Sequence, residues 1–297
     1  METAVKHRHT TEDDITAEVL RRYDATMDPR LRQIMQSLTR HLHAFVKDVQ
    51  LSEAEWMTAI QFLTETGHTC TEIRQEFILL SDTLGVSMLV DLINHRKPDG
   101  ATEPTVLGPF HRRGSPELPL GSDIGAKDKT GMATFVSGRV LDVNGRPIAG
   151  AVLDIWQTAS NGFYDSQDPS LSGGLNMRGI FRSDKEGRYF FWTTRPLHYS
   201  IPTDGPVGRM LQATNRHPFR PAHIHYIVNA DGYQPLTTHV FDSTDKHLKD
   251  DTVFAVKESL IREFVRHDSR SEEAERLGKE PPFCTVEFDI VLNPVKP

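Results

Sequence analysis

The reading of the fold turns on Arg220-Pro221-Ala222-His223-Ile224-His225-Tyr226. Pro221 stiffens the approach, and an apolar run follows. On a strand, residues i and i+2 point to the same face. His223 and His225 can therefore aim two imidazoles at one ion. Working outward from this stretch, a period of two begins near Thr134 and predicts strands over 134–143, 151–157, 179–184, 189–194, 223–230, 236–242 and 285–292. Turns such as Asn144-Gly145-Arg146-Pro147, Asp184-Lys185-Glu186-Gly187 and Asp231-Gly232 separate several of them. Short strands in series without intervening helices predict an antiparallel sandwich or barrel. The segment 251–266 fits either a helix or a turn plus strand.

Upstream, the first hundred residues read as helices. Thr11 and Asp14 have the spacing of a capping box, as do Ser52 and Glu55, and Leu51 and Trp56 have the spacing of a hydrophobic staple. Asp28-Pro29 pairs an N-cap residue with proline at the first helical position. The helix after it carries Leu31, Ile34, Met35, Leu38, Leu42, Phe45, Val46 and Val49 at helical spacing, and a last helical stretch runs from Phe77 to about Ile93. Near Lys97-Pro98-Asp99-Gly100 the pattern gives way to a long irregular segment rich in proline and glycine. The expected class is α+β, with a helical domain over 1–100 followed by a β-sandwich domain over 101–297. The helices show more apolar faces than one chain needs, which predicts a homodimer joined through them.

Bulk properties narrow the function. The chain has 297 residues, 37% hydrophobic and 25% charged, with a net charge of −7. That balance disfavours nucleic acid and anionic membranes as partners, and no apolar run reaches membrane-spanning length. The N-terminus has no apolar signal core, and two isolated cysteines, Cys70 and Cys284, suit a reducing cytoplasm.

The chemistry-bearing residues are His223 and His225 together with two tyrosines, each among glycines and prolines. Tyr164 follows Ser160-Asn161-Gly162-Phe163 and Tyr199 follows Arg195-Pro196-Leu197-His198. An alkaline-earth cation would want oxygens alone. A structural zinc would want cysteines, and neither cysteine here has a CxxC partner. Two imidazoles with two phenolates form a hard, anionic set that suits Fe(III). Each residue also has an ordinary reading: Tyr164 as a half-buried loop tyrosine, Tyr199 as part of a surface turn. His198 is a competing ligand, although adjacent residues usually point apart. His239 either supports the site or is an ordinary core histidine. His41 and His43 read as solvated helix residues, and His7 and His9 as part of the tail.

Three elements together resemble the intradiol ring-cleavage dioxygenases: Trp156-Gln157 with Gly162-Phe163-Tyr164; Arg195-Pro196-x-x-Tyr199 with Ile201-Pro202-x-Asp204-Gly205-Pro206; and Arg220-Pro221-Ala222-His223-Ile224-His225. The order and spacing match over essentially the whole chain. Helices preceding the sandwich resemble the catechol-type branch. Arg74-Gln75-Glu76-Phe77-Ile78-Leu79-Leu80-Ser81-Asp82-Thr83-Leu84-Gly85 and Thr105-Val106-Leu107-Gly108-Pro109-Phe110 resemble the members of that branch that act on hydroxyquinol, with catechol or chlorocatechol cleavage as the alternative.

The resemblance implies one non-heme Fe(III) per chain, held by Tyr164, Tyr199, His223 and His225. It implies that an aromatic diol or triol is opened by O2 between adjacent hydroxyl-bearing carbons. Tyr199 would take up a substrate proton, and Arg220 would stabilise negative charge on the ring. Leu79, Asp82, Val106, Leu107, Gly108, Ile201, Pro202 and Phe254 would line the pocket. Leu79 and Asp82 lie one turn apart on a helix and share a face. A carboxylate at 82 could read a third ring hydroxyl; its ordinary reading is an exposed helical residue or a cap. The resemblance also allows a lipid at the dimer interface. Two other classes compete: a zinc hydrolase built on His-x-His, which lacks an evident acidic third ligand, and a β-sandwich binding module, which leaves the tyrosines and histidines unused.

Overall fold

The computed structural model describes residues 10–295 apart from 73, 97, 99, 172 and 173. His7, His9, Lys97 and Asp99 thus lie outside the described residues. The chain divides into two compact units, Met1–Thr64 and Glu65–Pro297.

In the first unit, Thr11 accepts from Asp14 N while Asp14 accepts from Thr11 N at 2.9 Å, and α1 (Glu12–Arg22) follows this reciprocal cap. Asp28 caps α2 (Pro29–Val49) by accepting from Arg30 N at 2.8 Å and Leu31 N at 3.2 Å. Ser52 and Glu55 form the same reciprocal pair ahead of α3 (Glu53–Thr69). His43, expected in solvent, is half-buried, with Nδ1 at 2.9 Å from Thr16 Oγ1. Leu31, Ile34, Leu38, Leu42, Phe45 and Val49 remain about half exposed along α2.

The second unit holds the sheets. The expected helix through 77–93 is broken: α4 (Glu76–Thr83) and α5 (Val86–Asn94) meet at Gly85, whose φ of +73° only glycine adopts without strain. The strands are β1 (Ala133–Asp142), β2 (Val152–Gln157), β3 (Arg178–Arg182), β4 (Arg188–Thr194), β5 (Tyr199–Ser200), β6 (Phe219–Arg220), β7 (His223–Asn229), β8 (Leu236–Asp242), β9 (Ile261–Arg262), β10 (Val265–His267), β11 (Phe283–Glu287) and β12 (Ile290–Leu292). One five-stranded sheet runs β10-β11-β1-β12 with β4 also on β1, another runs β3-β2-β7-β8-β9, and β5 pairs β6. Side chains such as Val136, Phe191 and Val286 from the first meet Leu153, Phe181, Tyr226 and Val240 from the second in one core.

The sheets are mixed where an antiparallel sandwich was expected. β11 and β12 run parallel to β1, and β9 runs parallel to β8. Parallel pairing needs a long return path, and α7 (Glu272–Leu277) lies on the path that brings the chain back to β1. The single strand expected over 285–292 breaks at Phe288-Asp289. There the Phe288 carbonyl crosses Gly138 so closely that a Cβ on Gly138 would overlap it. Tyr189 Oη donates to that carbonyl and Arg139 N donates to Asp289 Oδ1. The ambiguous 251–266 segment is a turn, a short 3-10 turn at Glu258–Leu260, then β9 and β10. A short helix, α6 (Pro206–Ala213), follows the Tyr199 segment.

Candidate metal centre

The site is built on the middle of a sheet. β7 lies between β2 and β8, with Trp156 opposite His225 on one side and His239 opposite His225 on the other. The indole of Trp156 stacks on the His225 ring at 4.5 Å and 12°, and the His239 ring stands edge-on to the same ring at 4.1 Å and 78°. His223, two residues earlier, faces the same way. Its Nδ1 lies 2.7 Å from the Pro221 carbonyl oxygen, which can only accept. Nδ1 therefore carries the proton and Nε2 is left as a lone pair. The two Nε2 atoms are 3.0 Å apart.

Tyr164 comes from the loop after β2. Gly162 at φ +80° turns the chain, and Asn161 accepts from Phe163 N at 3.0 Å. The phenol oxygen reaches 2.8 Å from His225 Nε2 and 3.5 Å from His223 Nε2. Phe110 stacks on this ring at 4.5 Å. Behind it, Asp165 accepts from Arg178 Nε at 2.6 Å, and Arg178 Nη2 donates to the Phe110 carbonyl at 2.7 Å. Tyr199 stands edge-on to Tyr164 at 5.2 Å and pairs with Arg220 across β5 and β6. Arg220 Nη1 is 3.4 Å from Tyr199 Oη and 3.3 Å from His223 Nε2. Both tyrosines, both histidines and Arg220 are buried.

Electrostatics agree with a cation site. Burial first holds His223, His225 and His239 well below the ordinary histidine value, joined by Arg220 in all three and by neighbouring imidazoles for His225 and His239, so all three are neutral. Burial and the neighbouring Tyr199 push the Tyr164 phenol well above its ordinary value. A cation against the oxygen would reverse that shift. For Arg220, burial opposes the charge, but Asp251 and the two phenols outweigh it and raise its value.

The residues expected to line the pocket spread over three hollows. Leu79, Ile201 and Pro202 line one of about 550 Å³ with Phe110 and Phe163. Asp82, Val106, Leu107 and Gly108 line another of about 480 Å³. Phe254 lines a third of about 500 Å³ and is 53% exposed. Gly108 touches the site directly, since a Cβ there would lie 3.5 Å from His225 Cε1. Asp82 is 3% exposed, not a solvated helix residue, and burial pushes its carboxyl up while Ser87 and Arg220 pull it back. His198 turns away from the site toward Asp245, at 3.4 Å.

Sequence reasoning missed Asp251 and the Asp165–Arg178 pair. Asp251 accepts from Arg220 Nε at 3.2 Å and Nη2 at 3.4 Å, and from the backbone of Val253 and Ala255. Nothing local to Asp250-Asp251 marks it. The His239 ring lies 4.6 Å from that of His223 and 4.1 Å from that of His225.

The family model described as "Catechol dioxygenase N terminus" matches residues 28–102, and the one described as "Dioxygenase" matches 116–294. The chain belongs to the intradiol ring-cleavage dioxygenases. Hydroxyquinol 1,2-dioxygenase of Rhizobium sp. is 48% identical to this dioxygenase over 98% of the chain and 99% of its own length. 6-Chlorohydroxyquinol 1,2-dioxygenase of Cupriavidus pinatubonensis is 47% identical over 95% and 97%. The crystal structure of hydroxyquinol 1,2-dioxygenase from Pseudomonas putida superposes with a TM-score of 0.89 at 49% identity, covering 96% of this chain and 99% of that one.

Asp251 is the carboxylate paired with the buried Arg220 guanidinium in this dioxygenase. Asp251→Ala is expected to destabilise the fold by about 3–5 kcal/mol, since a buried charge would lose its partner, and Asp251→Asn by less. Urea denaturation followed by circular dichroism measures both; an unchanged midpoint in the alanine variant would show that Arg220 does not depend on the pair.

Proposed function

We propose that this intradiol dioxygenase opens hydroxyquinol (1,2,4-trihydroxybenzene) with O2, between the two carbons that bear adjacent hydroxyls. Both oxygen atoms enter the product, 3-hydroxy-cis,cis-muconate, the enol form of maleylacetate, in the breakdown of aromatic compounds. The observation that carries the reading is the meeting of Tyr164 Oη with two imidazole Nε2 atoms within 3.5 Å, beside a hollow floored by the buried Asp82.

The donors fit the Fe(III) on which the intradiol family depends: two neutral imidazoles and two phenols that a trivalent cation would ionise. Tyr164, Tyr199, His223 and His225 would hold one ferric ion per chain. When bound, that ion draws electron density from the diol so that a ring carbon can react with O2. Tyr199, close to Arg220, is the group suited to take the substrate's proton. Arg220, fixed by Asp251, offers charge to the electron-rich ring, a contribution of about 3 kcal/mol for one such donor. Leu79, Ile201, Pro202, Val106, Leu107, Gly108 and Phe254 would enclose the ring, and Asp82 would bond to the third hydroxyl. Catechol or chlorocatechol cleavage is the alternative reading.

Residues 1–100 would serve as the dimerisation arm and 101–297 as the catalytic part, with the half-exposed row on α2 covered by a second copy and by lipid. Among the described residues no helix is long and apolar enough to cross a membrane, and both cysteines are unpaired, which is compatible with a cytoplasmic enzyme.

The protein is expected to contain about one iron per chain, to be red to brown, and to bleach with dithionite. Tyr164→Phe or His223→Ala should abolish the colour. Arg220→Ala should keep the iron and the colour yet slow turnover more than tenfold. A colourless, fully active zinc protein would overturn the assignment.

Steady-state kinetics on the two diols test Asp82. Wild type should prefer hydroxyquinol to catechol in kcat/KM, and Asp82→Ala should narrow that preference about tenfold or more, because a hydrogen bond to a charged group is worth roughly 1.5–3 kcal/mol. An equal fall on both diols would mean that Asp82 does not read the ring; better wild-type activity on catechol would favour the alternative.

Light scattering at micromolar concentration should return the mass of a dimer. A monomer there would refute the arm's role.

A further inference from the structure

Two stretches of the sequence have no part in the metal centre, yet they meet in space. One is Arg74-Gln75-Glu76, at the start of α4. The other is Asp204-Gly205-Pro206-Val207, which closes the segment that began at Tyr199. Glu76 is fully buried, at 0% exposure. Its Oε2 accepts from Arg74 Nε at 3.1 Å and Nη2 at 2.9 Å. Its Oε1 accepts from Val207 N at 3.2 Å, in the first turn of α6. Arg74 then reaches on, with Nη1 at 2.8 Å and Nη2 at 2.9 Å from the two carboxylate oxygens of Asp204. Gly205 lies so close that a Cβ there would overlap Glu76 Oε1 and crowd Arg74 Nη2.

This chain of charges ties two walls together. On one side Glu76 opens the helix that carries Leu79 a turn later and Asp82 after that. On the other, Asp204 and Gly205 end the segment that carries Tyr199, Ile201 and Pro202. Arg74, Glu76 and Asp204 rim the same hollow that Leu79, Ile201 and Pro202 line. The pairs contribute little net stability: at the buried Glu76 end desolvation offsets much of the attraction, and at the solvent-open Asp204 end water screens it. What they do supply is a fixed geometry, since a guanidinium held in two-pronged contact tolerates little displacement.

We propose that Glu76, bridged by Arg74 to Asp204, is a positioning residue that sets the separation between α4 and the Tyr199–Gly205 segment, and thereby the width of the slot that receives the aromatic ring. The proposal rests on the reading that Leu79, Ile201 and Pro202 face the substrate. None of the clasp's hydrogen bonds goes to Tyr164, Tyr199, His223 or His225. Its loss therefore acts on how the ring is held, through KM and through discrimination between rings, before it acts on the chemical step.

The test uses the iron-loaded enzyme and three variants. Glu76→Gln keeps the shape and an acceptor for Val207 N. Gly205→Ala forces the walls apart. Asp204→Ala alters a carboxylate whose side chain is 73% exposed, so it should not disturb folding. Each is expected to keep the visible tyrosinate band, to raise KM for hydroxyquinol at least fivefold with kcat within twofold, and to change the hydroxyquinol-to-catechol ratio of kcat/KM at least threefold. Asp204→Glu should return KM to within twofold of wild type. Leu79→Ala is measured alongside. If it raises KM while Glu76→Gln and Asp204→Ala do not, the clasp is overturned and the pocket reading stands. Unchanged KM in all of them overturns both. Loss of activity on both diols in step with loss of folded protein would reduce the clasp to a stability device and overturn the proposal.

Discussion

The hydrogen bond from His223 Nδ1 to the Pro221 carbonyl, at 2.7 Å, is the constraint on which the rest of the site depends. It fixes the tautomer and turns the Nε2 lone pair inward. Pro221 cannot swing away, because the next residue is held from both directions: Ala222 N donates to Asp245 at 3.1 Å, and the Ala222 carbonyl accepts from Asp242 N at 3.0 Å. β7 begins at His223, so the strand's alternation brings His225 to the same face. There Trp156 and His239, from the two flanking strands, leave the second ring little freedom. The two Nε2 atoms lie 3.0 Å apart, a separation that calls for a proton or a cation shared between them. The sheet thus holds in place an arrangement that the isolated side chains would not adopt.

Around this pair the buried charges are arranged in opposition. Arg220 stands against Tyr199 and His223 and is answered by Asp251. Arg178 stands behind Tyr164 and is answered by Asp165. For Tyr164 both guanidinium groups favour the ionised phenol, whereas burial disfavours it and prevails. Each carboxylate also accepts backbone N–H groups, from Val253 and Ala255 in one case and from Asn176 in the other. The pairs are therefore anchored to the main chain. Arg178 adds a second role, since its bond to the Phe110 carbonyl brings that ring onto the face of Tyr164. Rigidity of the tyrosine–histidine cluster comes from this outer layer of contacts as much as from the strands.

The helix starts, the strand periods and the His-x-His face were legible in the sequence for one physical reason. A cap at Thr11, Asp28 or Ser52, a proline at the first helical position and an alternation of two are interactions among residues a few positions apart. Tyr164 and Tyr199 were legible as members of a motif, because glycine, asparagine and proline around them set the backbone whatever lies further off. Only the tertiary structure decided the rest. Parallel pairing of β11 and β12 with β1 depends on the path of a long return, and Gly85 breaks an apparently continuous helical stretch where the ring of Phe254 lies against it. Asp251 finds Arg220 across 31 residues and Glu76 finds Val207 across 131. No short-range signal marks such pairs, because a carboxylate carries the same local preferences whether it ends in water or against a buried arginine.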